Sequence, residues 1–493
     1  MSTNTLQQIY KTSLGLMTDM YQMTMAYGYW KSGTHENESV FNLFFRKSPF
    51  QGSYTICAGL ATAIEYLDNL SFTQDDVDYL YSLTNPKGQP LFDKEFLNYL
   101  KKLRFKCDVD AIPEGTVVFP HQPLIRVTGP LLQCQILETT LLNIINFQSL
   151  IATKSSRICH AAQGEPVLEF GLRRAQGPDG GISASRAAYI GGCSATSNLL
   201  AGKLYNIPVQ GTHAHSWIMS FPSELESFDA YAHAFPDNCI FLVDTYNTIQ
   251  GVKNAIEIGI KLKQAGHHLM GVRLDSGDLA YLSIEARKLL DAAGFKDAVI
   301  VGSNDLDERI ISSLKDQGAK INVWGVGTRL ATAYEQPALD GVYKLSALRE
   351  NAKNEWSYKL KLSEQATKIT TPGILQVRRF YSDSQCLADA IYDEQIGISD
   401  SCTIIDPLDM THQRKISPGV QYRDLLEPIF RGGKLIYSIP PIAESRLKTL
   451  HELQQFHPTI RRFLNPHIYP VGLEKHLFDL KTKLILIARG INL

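Results

Sequence analysis

A chain of 493 residues exceeds the size at which single hydrophobic cores usually stop growing, so two or more domains are expected. Hydrophobic residues make up 44% and charged residues 20%, ordinary globular usage that excludes disorder as the main state. The formal net charge of -1 leaves no basic surplus for a nucleic-acid backbone or an anionic membrane surface, so any phosphate contact must be local.

The eight cysteines include no CxxC pair, and the opening MSTNTLQQIYKTS lacks the basic segment and apolar core of a secretory signal. Reduced thiols and a cytoplasmic location are expected, and the Asn37-Glu38-Ser39 sequon then has no role. No run reaches the roughly 18 apolar residues that would span a bilayer.

In chain order, YTICAGLATAIEYLDNL and the strands around VVFPHQPLIRVTG suggest an α+β region. From Leu131 to Ile158 apolar residues recur at helical spacing (Leu132, Ile136, Leu137, Leu141, Ile144, Ile145) behind Pro130, which predicts a long buried helix. Short apolar runs follow, each ending in a polar or glycine-rich turn: PVLEFGLRR, IPVQGTHAH, CIFLVDTYN, LMGVRLDSGD, AVIVGSNDL and INVWGVGTR. Helical stretches such as NTIQGVKNAIEIGIKLKQAG separate them. This alternation predicts an irregular α/β barrel with parallel strands. The segments outside it predict a second, α+β domain built from both ends of the chain. The expected borders are 1–150 for an N-terminal domain contributing to the site, 151–355 for the barrel, and 356–493 for a C-terminal region packing with the N-terminal domain.

In such barrels the loops at the carboxyl ends of the strands build the site. Turns are rich in Gly, Asp, Ser and Asn in any protein, but a series of such endings in register favours a site. QGPDGGISAS offers Gly177, Gly180 and Gly181, then Ser183 and Ser185 before a helix expected from Arg186, a pattern suited to phosphate. GVGTRL repeats the device with Thr328. Arg173 and Arg174 add fixed charge in a fork suited to phosphate or carboxylate. RLDSGD sets Arg273 and Asp275 on one strand face, with Asp278 past the turn. Asp275 could accept from sugar hydroxyls, hold Mg²⁺, or merely cap its own turn. In GTHAHS, His213 and His215 share a face if the segment is extended. They could be metal ligands, a nucleophilic pair, or polar residues at a strand end.

Together TDMYQMTMAYGYW, EFGLRRAQGPDGG, GTHAHS, GVRLDSGDL and GVGT, in that order, resemble the nicotinate phosphoribosyltransferase family over essentially the whole chain. The resemblance implies the joining of nicotinate to 5-phosphoribosyl 1-pyrophosphate, the entry step of NAD salvage from nicotinate. It also implies ATP as co-substrate, acting through a phosphohistidine at His215, with Mg²⁺ carried mainly by substrate phosphates and no separate protein metal site. By matching position, Tyr21 and Phe170 would stack on the pyridine ring, Tyr21 from the partner subunit of a homodimer. Thr212 and Arg273 would contact nicotinate, Arg173 a phosphate, Asp275 the ribose hydroxyls, and Gly327 with Thr328 the 5′-phosphate. Three alternatives stand beside this reading. They are a nicotinamide-type phosphoribosyltransferase, a metal-dependent barrel hydrolase using His213 and His215, and a binding barrel without turnover.

Overall fold

A computed structural model describes residues 9, 10 and 12–491. The chain divides into two compact units. The first gathers the chain up to Leu150, Ala338–Pro441 and the chain from Lys448 on; the second takes Ile151–Pro337 with Ile442–Leu447.

The second unit holds a six-stranded sheet: β1 (Val167–Glu169), β2 (Ala195–Thr196), β3 (Cys239–Leu242), β4 (Leu269–Leu274), β5 (Val299–Ser303) and β6 (Val323–Val326). Their order is β2-β1-β6-β5-β4-β3, and every pair is parallel. Strands covered on both faces need continuous apolar runs rather than alternation. β1 is buried throughout, and β3, β5 and β6 at all but one position.

Polar residues at the strand ends start the helices that follow. Asn247 accepts from the Gln250 amide, Asp278 from that of Tyr281, and Asp307 from those of Arg309 and Ile310. Each satisfies a donor that the first helical turn leaves unpaired. Asp278 therefore has a structural role.

IPVQGTHAH, expected as a strand, forms only one bridge, between Val209 and Thr196. Pro208 has no N–H to give to a ladder. Its carbonyl accepts from the Thr196 amide at 3.0 Å, and Gln210 donates to the Thr196 carbonyl at 3.0 Å. Four residues on, His213 Nε2 accepts from the Leu242 amide at 3.3 Å. Since β2 and β3 are opposite edges of the sheet, one segment touches both, and the sheet curls into an irregular barrel.

The first unit contains a seven-stranded antiparallel sheet that draws on distant parts of the chain. Glu38–Phe45 pairs with Ile125–Pro130 on one side and Gly341–Arg349 on the other, while Asp108–Ala111 pairs with Glu427–Arg431. Gly341–Arg349 is thereby part of this unit, so the barrel unit ends at Pro337 and not near residue 355. A six-stranded sheet from the C-terminal third completes it, with fully buried Arg379 held by Asp389, Glu452 and the Val117 carbonyl. The long helix expected from Leu131 is broken at Leu137 into Leu131–Ile136 and Glu138–Ala161. Among the described residues no helix is long and apolar enough to cross a membrane.

Candidate functional site

Strand register assembles the site. Leu242 is level with Arg273, Arg273 with Val301, and Val301 with Val323. Two residues further along each strand, side chains return to the same face. Asp244, Asp275, Ser303 and Gly325 therefore form one row across β3, β4, β5 and β6.

The row is hydrogen-bonded across its width. Asp244 Oδ2 accepts from the Asp275 amide at 2.9 Å and from Ser276 Oγ at 2.6 Å, while Asp275 Oδ1 accepts from Ser303 Oγ. The other oxygens look elsewhere. Asp275 Oδ2 lies 3.7 Å from His215 Nε2, and buried Asp244 Oδ1 has no partner among the described residues. His215 opens a short helix, His215–Met219, and its Nδ1 is 3.1 Å from Thr245 Oγ1. Its side chain is 40% exposed, so a ligand can reach it.

Arg273 donates through Nη1 to Thr212 Oγ1 and, at 3.5 Å, to the His213 carbonyl; Nη2 is 4.0 Å from Asp275 Oδ1. Its Nε is buried without a partner among the described residues. Burial holds this guanidinium below its ordinary pKa, Asp275 and Asp244 oppose that shift, and Arg173 adds to it by repulsion. A partly dehydrated guanidinium with an unused donor is primed for an anion. Arg173 lies on the exposed turn Leu172–Arg174.

Phe170 continues β1 by donating its amide to the Val326 carbonyl at 2.8 Å. Its ring crosses Gly325, where an added Cβ would stand 2.7 Å from the ring edge, so only glycine lets the ring lie there. Glu169, buried beneath it, accepts from the Gly171 amide, from Ser185 Oγ at 2.7 Å and from Thr196 Oγ1 at 2.6 Å. The helix expected from Arg186 in fact begins at Gly177. Ser183 and Ser185 thus lie within it, and Ser185 holds Glu169 in place. Gly327 caps the short helix Thr328–Ala331, whose Arg329 is held by Asp307 at 2.6 Å.

His213 and His215 do not face one site as a pair. His213 is buried against Tyr231, Phe228 and Phe241, its Nε2 accepts from the Leu242 amide and its Nδ1 is buried without a partner among the described residues, so the hydrolase reading loses its second ligand to burial. Among the described residues no three His, Cys, Asp or Glu side chains converge as a metal cage. Tyr21 belongs to the first unit, on the helix Met20–Ser32, and is 49% exposed.

The sequence reading passes over Asp244, Thr245, Ser303 and Glu169. DTYN and RLDSGD each carry an aspartate just past the end of a parallel strand, and that repetition is the signal for Asp244. Glu169 has no such mark, because only the fold brings Ser185 and Thr196 to it.

A barrel with this row of carboxylates, and with Arg273 beside it, has the form of an enzyme handling anionic substrates. Matches to known proteins identify the family. Residues 16–146 match the nicotinate phosphoribosyltransferase (NAPRTase) N-terminal domain, 167–378 the nicotinate phosphoribosyltransferase (NAPRTase) family, and 375–481 its C-terminal domain. The nicotinate phosphoribosyltransferase of Bacillus subtilis (strain 168) is 44% identical over 480 residues, covering 96% of this chain and 95% of that protein. That of Homo sapiens is 35% identical over 528 residues, covering 95% and 96%. The crystal structure of human nicotinic acid phosphoribosyltransferase superposes with a TM-score of 0.81 at 32% identity, covering 95% of this chain and 99% of that one. The chain belongs to the nicotinate phosphoribosyltransferase family.

Proposed function

We propose that this protein is an ATP-dependent, ligase-type nicotinate phosphoribosyltransferase working through a phosphohistidine at His215. Nicotinate and 5-phosphoribosyl 1-pyrophosphate become nicotinate mononucleotide and pyrophosphate, the first step of NAD salvage from nicotinate. The supporting observation is the placing of His215 and Arg273 on either side of Asp275.

The bond from ribose C1 to pyrophosphate breaks, and a bond from C1 to the pyridine nitrogen forms. That nitrogen attacks as a neutral lone pair, so no general base is required. Catalysis then rests on positioning and on charge. Asp275 holds the ribose hydroxyls and faces the positive charge that develops on the sugar. Arg173 and Arg273 face anionic groups: Arg273, with Thr212, reads the nicotinate carboxylate, and Arg173 a phosphate. Phe170 covers one face of the pyridine ring, and Gly327 with Thr328 hold the 5′-phosphate.

Mg²⁺ bound through the substrate phosphates would supply charge neutralisation at the leaving oxygens. The unpartnered Asp244 Oδ1 is the carboxylate oxygen suited to face it. At His215, Thr245 engages Nδ1, so Nε2 is the nitrogen open to a phosphoryl group. The neutral imidazole attacks phosphorus, the bond to ADP breaks, and hydrolysis of the phosphohistidine drives the cycle.

The working form is a cytoplasmic homodimer in which the partner subunit's Tyr21 covers the second face of the pyridine ring. Exposed Leu199, Met219 and Tyr246, which follow β2 and β3, are apolar surface suited to such a contact. The test is turnover with nicotinate, nicotinamide and quinolinate in parallel, with and without ATP. Nicotinate preference with ATP stimulation is expected. A nicotinamide preference, or indifference to ATP, overturns the corresponding part.

A further inference from the structure

The segment that carries Thr212 and His215 has almost no backbone anchorage. Upstream, its last bridge is Val209 with Thr196; downstream, the helix His215–Met219 is five residues long. Between them lies the seam where β2 and β3, opposite edges of one sheet, have no ladder of their own. A ladder would supply an acceptor for the Leu242 amide. Instead that amide, completely buried, donates to His213 Nε2 at 3.3 Å.

We propose that His213 is the closure of the barrel: its neutral imidazole takes the place of the missing strand carbonyl at the seam, and so positions Thr212 and His215 on its two sides. This rests on the family activity and not on the phosphohistidine.

Several observations support the assignment independently. The imidazole is gripped by aromatic rings, with Tyr231 at 4.9 Å edge-on and Phe228 and Phe241 at 6.1 and 6.3 Å. Phe228 and Phe241 are themselves stacked at 4.6 Å. The ring cannot swing out without opening this cage. Its own carbonyl accepts from Thr212 Oγ1 at 3.2 Å and from Arg273 Nη1 at 3.5 Å. One residue thus joins β3 through its ring and β4 through its main chain. Only a neutral ring with its proton on Nδ1 can accept at Nε2. Burial and the Arg273 charge keep the ring neutral, lowering its pKa to about 4 against the opposing Ala214 backbone.

A positioning role differs from simple packing in needing an acceptor at one point in space. His213→Phe keeps an aromatic ring in the cage but orphans the Leu242 amide. His213→Gln loses the ring but can return an acceptor to Nε2's place. In the Phe variant, amide exchange across residues 239–243 should quicken about tenfold, the order expected when one buried donor is orphaned. KM for nicotinate should rise and kcat/KM fall with it, because Thr212 and the Arg273 it holds lose their register. The Gln variant should recover both readouts in large part.

Nitrogen-15 spectra of the folded wild-type imidazole, assigned by its loss in the Gln variant, provide a measure that does not depend on the Phe variant folding. They should show a neutral ring protonated at Nδ1. A ring protonated at Nε2 overturns the proposal. So does a Phe variant with wild-type exchange and kinetics, or a folded Gln variant as impaired as the Phe one. Failure of ATP to stimulate the wild type would leave these outcomes unaffected, and so separates the two claims.

Discussion

Asp275 stands between two functional side chains: Oδ2 is 3.7 Å from His215 Nε2, and Oδ1 is 4.0 Å from Arg273 Nη2. On the proposed roles of His215 and Arg273, one carboxylate couples the phosphoryl-accepting end of the site to the carboxylate-reading end. Asp275→Asn removes the charge and keeps the shape. It should lower kcat by about a hundredfold, the scale of losing one preorganised electrostatic group. Ser303→Ala, which removes the donor to Asp275 Oδ1 and to the Leu274 carbonyl, should cost less than tenfold, about the worth of a single hydrogen bond. Steady-state kinetics of the two variants check the order, and a Ser303 variant as impaired as the Asp275 one would contradict it.

Arg273 should tell the acid from the amide. Its charge-assisted bonds to a carboxylate are worth roughly 1.5–3 kcal/mol, or about one to two factors of ten. Arg273→Lys keeps the charge and loses the planar fork. KM for nicotinate should therefore rise much more than KM for phosphoribosyl pyrophosphate. An unchanged nicotinate constant beside a large rise for the ribosyl donor would give the carboxylate to another group.

Gly325→Ala tests how the Phe170 ring is held. The new Cβ would stand 2.7 Å from the ring edge, so the ring must move. Because Phe170 is the proposed cover of the pyridine ring, KM for nicotinate should rise several-fold. Thermal stability should fall by about 1–3 kcal/mol, the usual cost of overpacking. Unaltered nicotinate kinetics in a folded variant would remove Phe170 from the substrate.

Stability should fall in mild acid. Burial lowers the pKa of His213 and of His121, on the first unit, from 6.5 to about 4. Both rings are neutral when folded and take up protons when unfolded. Their contribution is complete above pH 6.5 and is lost as pH falls towards 4, by about 3 kcal/mol for each ring. His213→Gln should flatten the fall of the melting temperature across that window. An unchanged slope would mean that His213 titrates normally.

The parallel strands were legible in the sequence because strands buried on both faces must be continuous apolar runs, and their polar ends marked the mouth of the barrel. IPVQGTHAH was misleading for the same reason. It is apolar at the start, but Pro208 cannot donate, and the barrel closes there through the His213 side chain. No periodicity records such a contact. The border beyond Pro337 was equally hidden, because Gly341–Arg349 is defined by a partner strand about 300 residues earlier. Arg273 and Asp275 were readable as a pair, being two apart on one strand. Asp244 and Ser303 act through neighbours on other strands, and Glu169 through Ser185 on the following helix and Thr196 on β2, which only the fold reveals.

The central claim is that His215, and not His213, receives the phosphoryl group. Incubation with γ-labelled ATP and Mg²⁺, followed by acid and alkaline treatment, tests it in wild type, His215→Ala and His213→Gln. An acid-labile, alkali-stable label should form on the wild type and on His213→Gln. It should be absent from His215→Ala, which should retain some ATP-independent synthesis of nicotinate mononucleotide. A label that survives in His215→Ala and disappears in a folded His213→Gln would contradict the account.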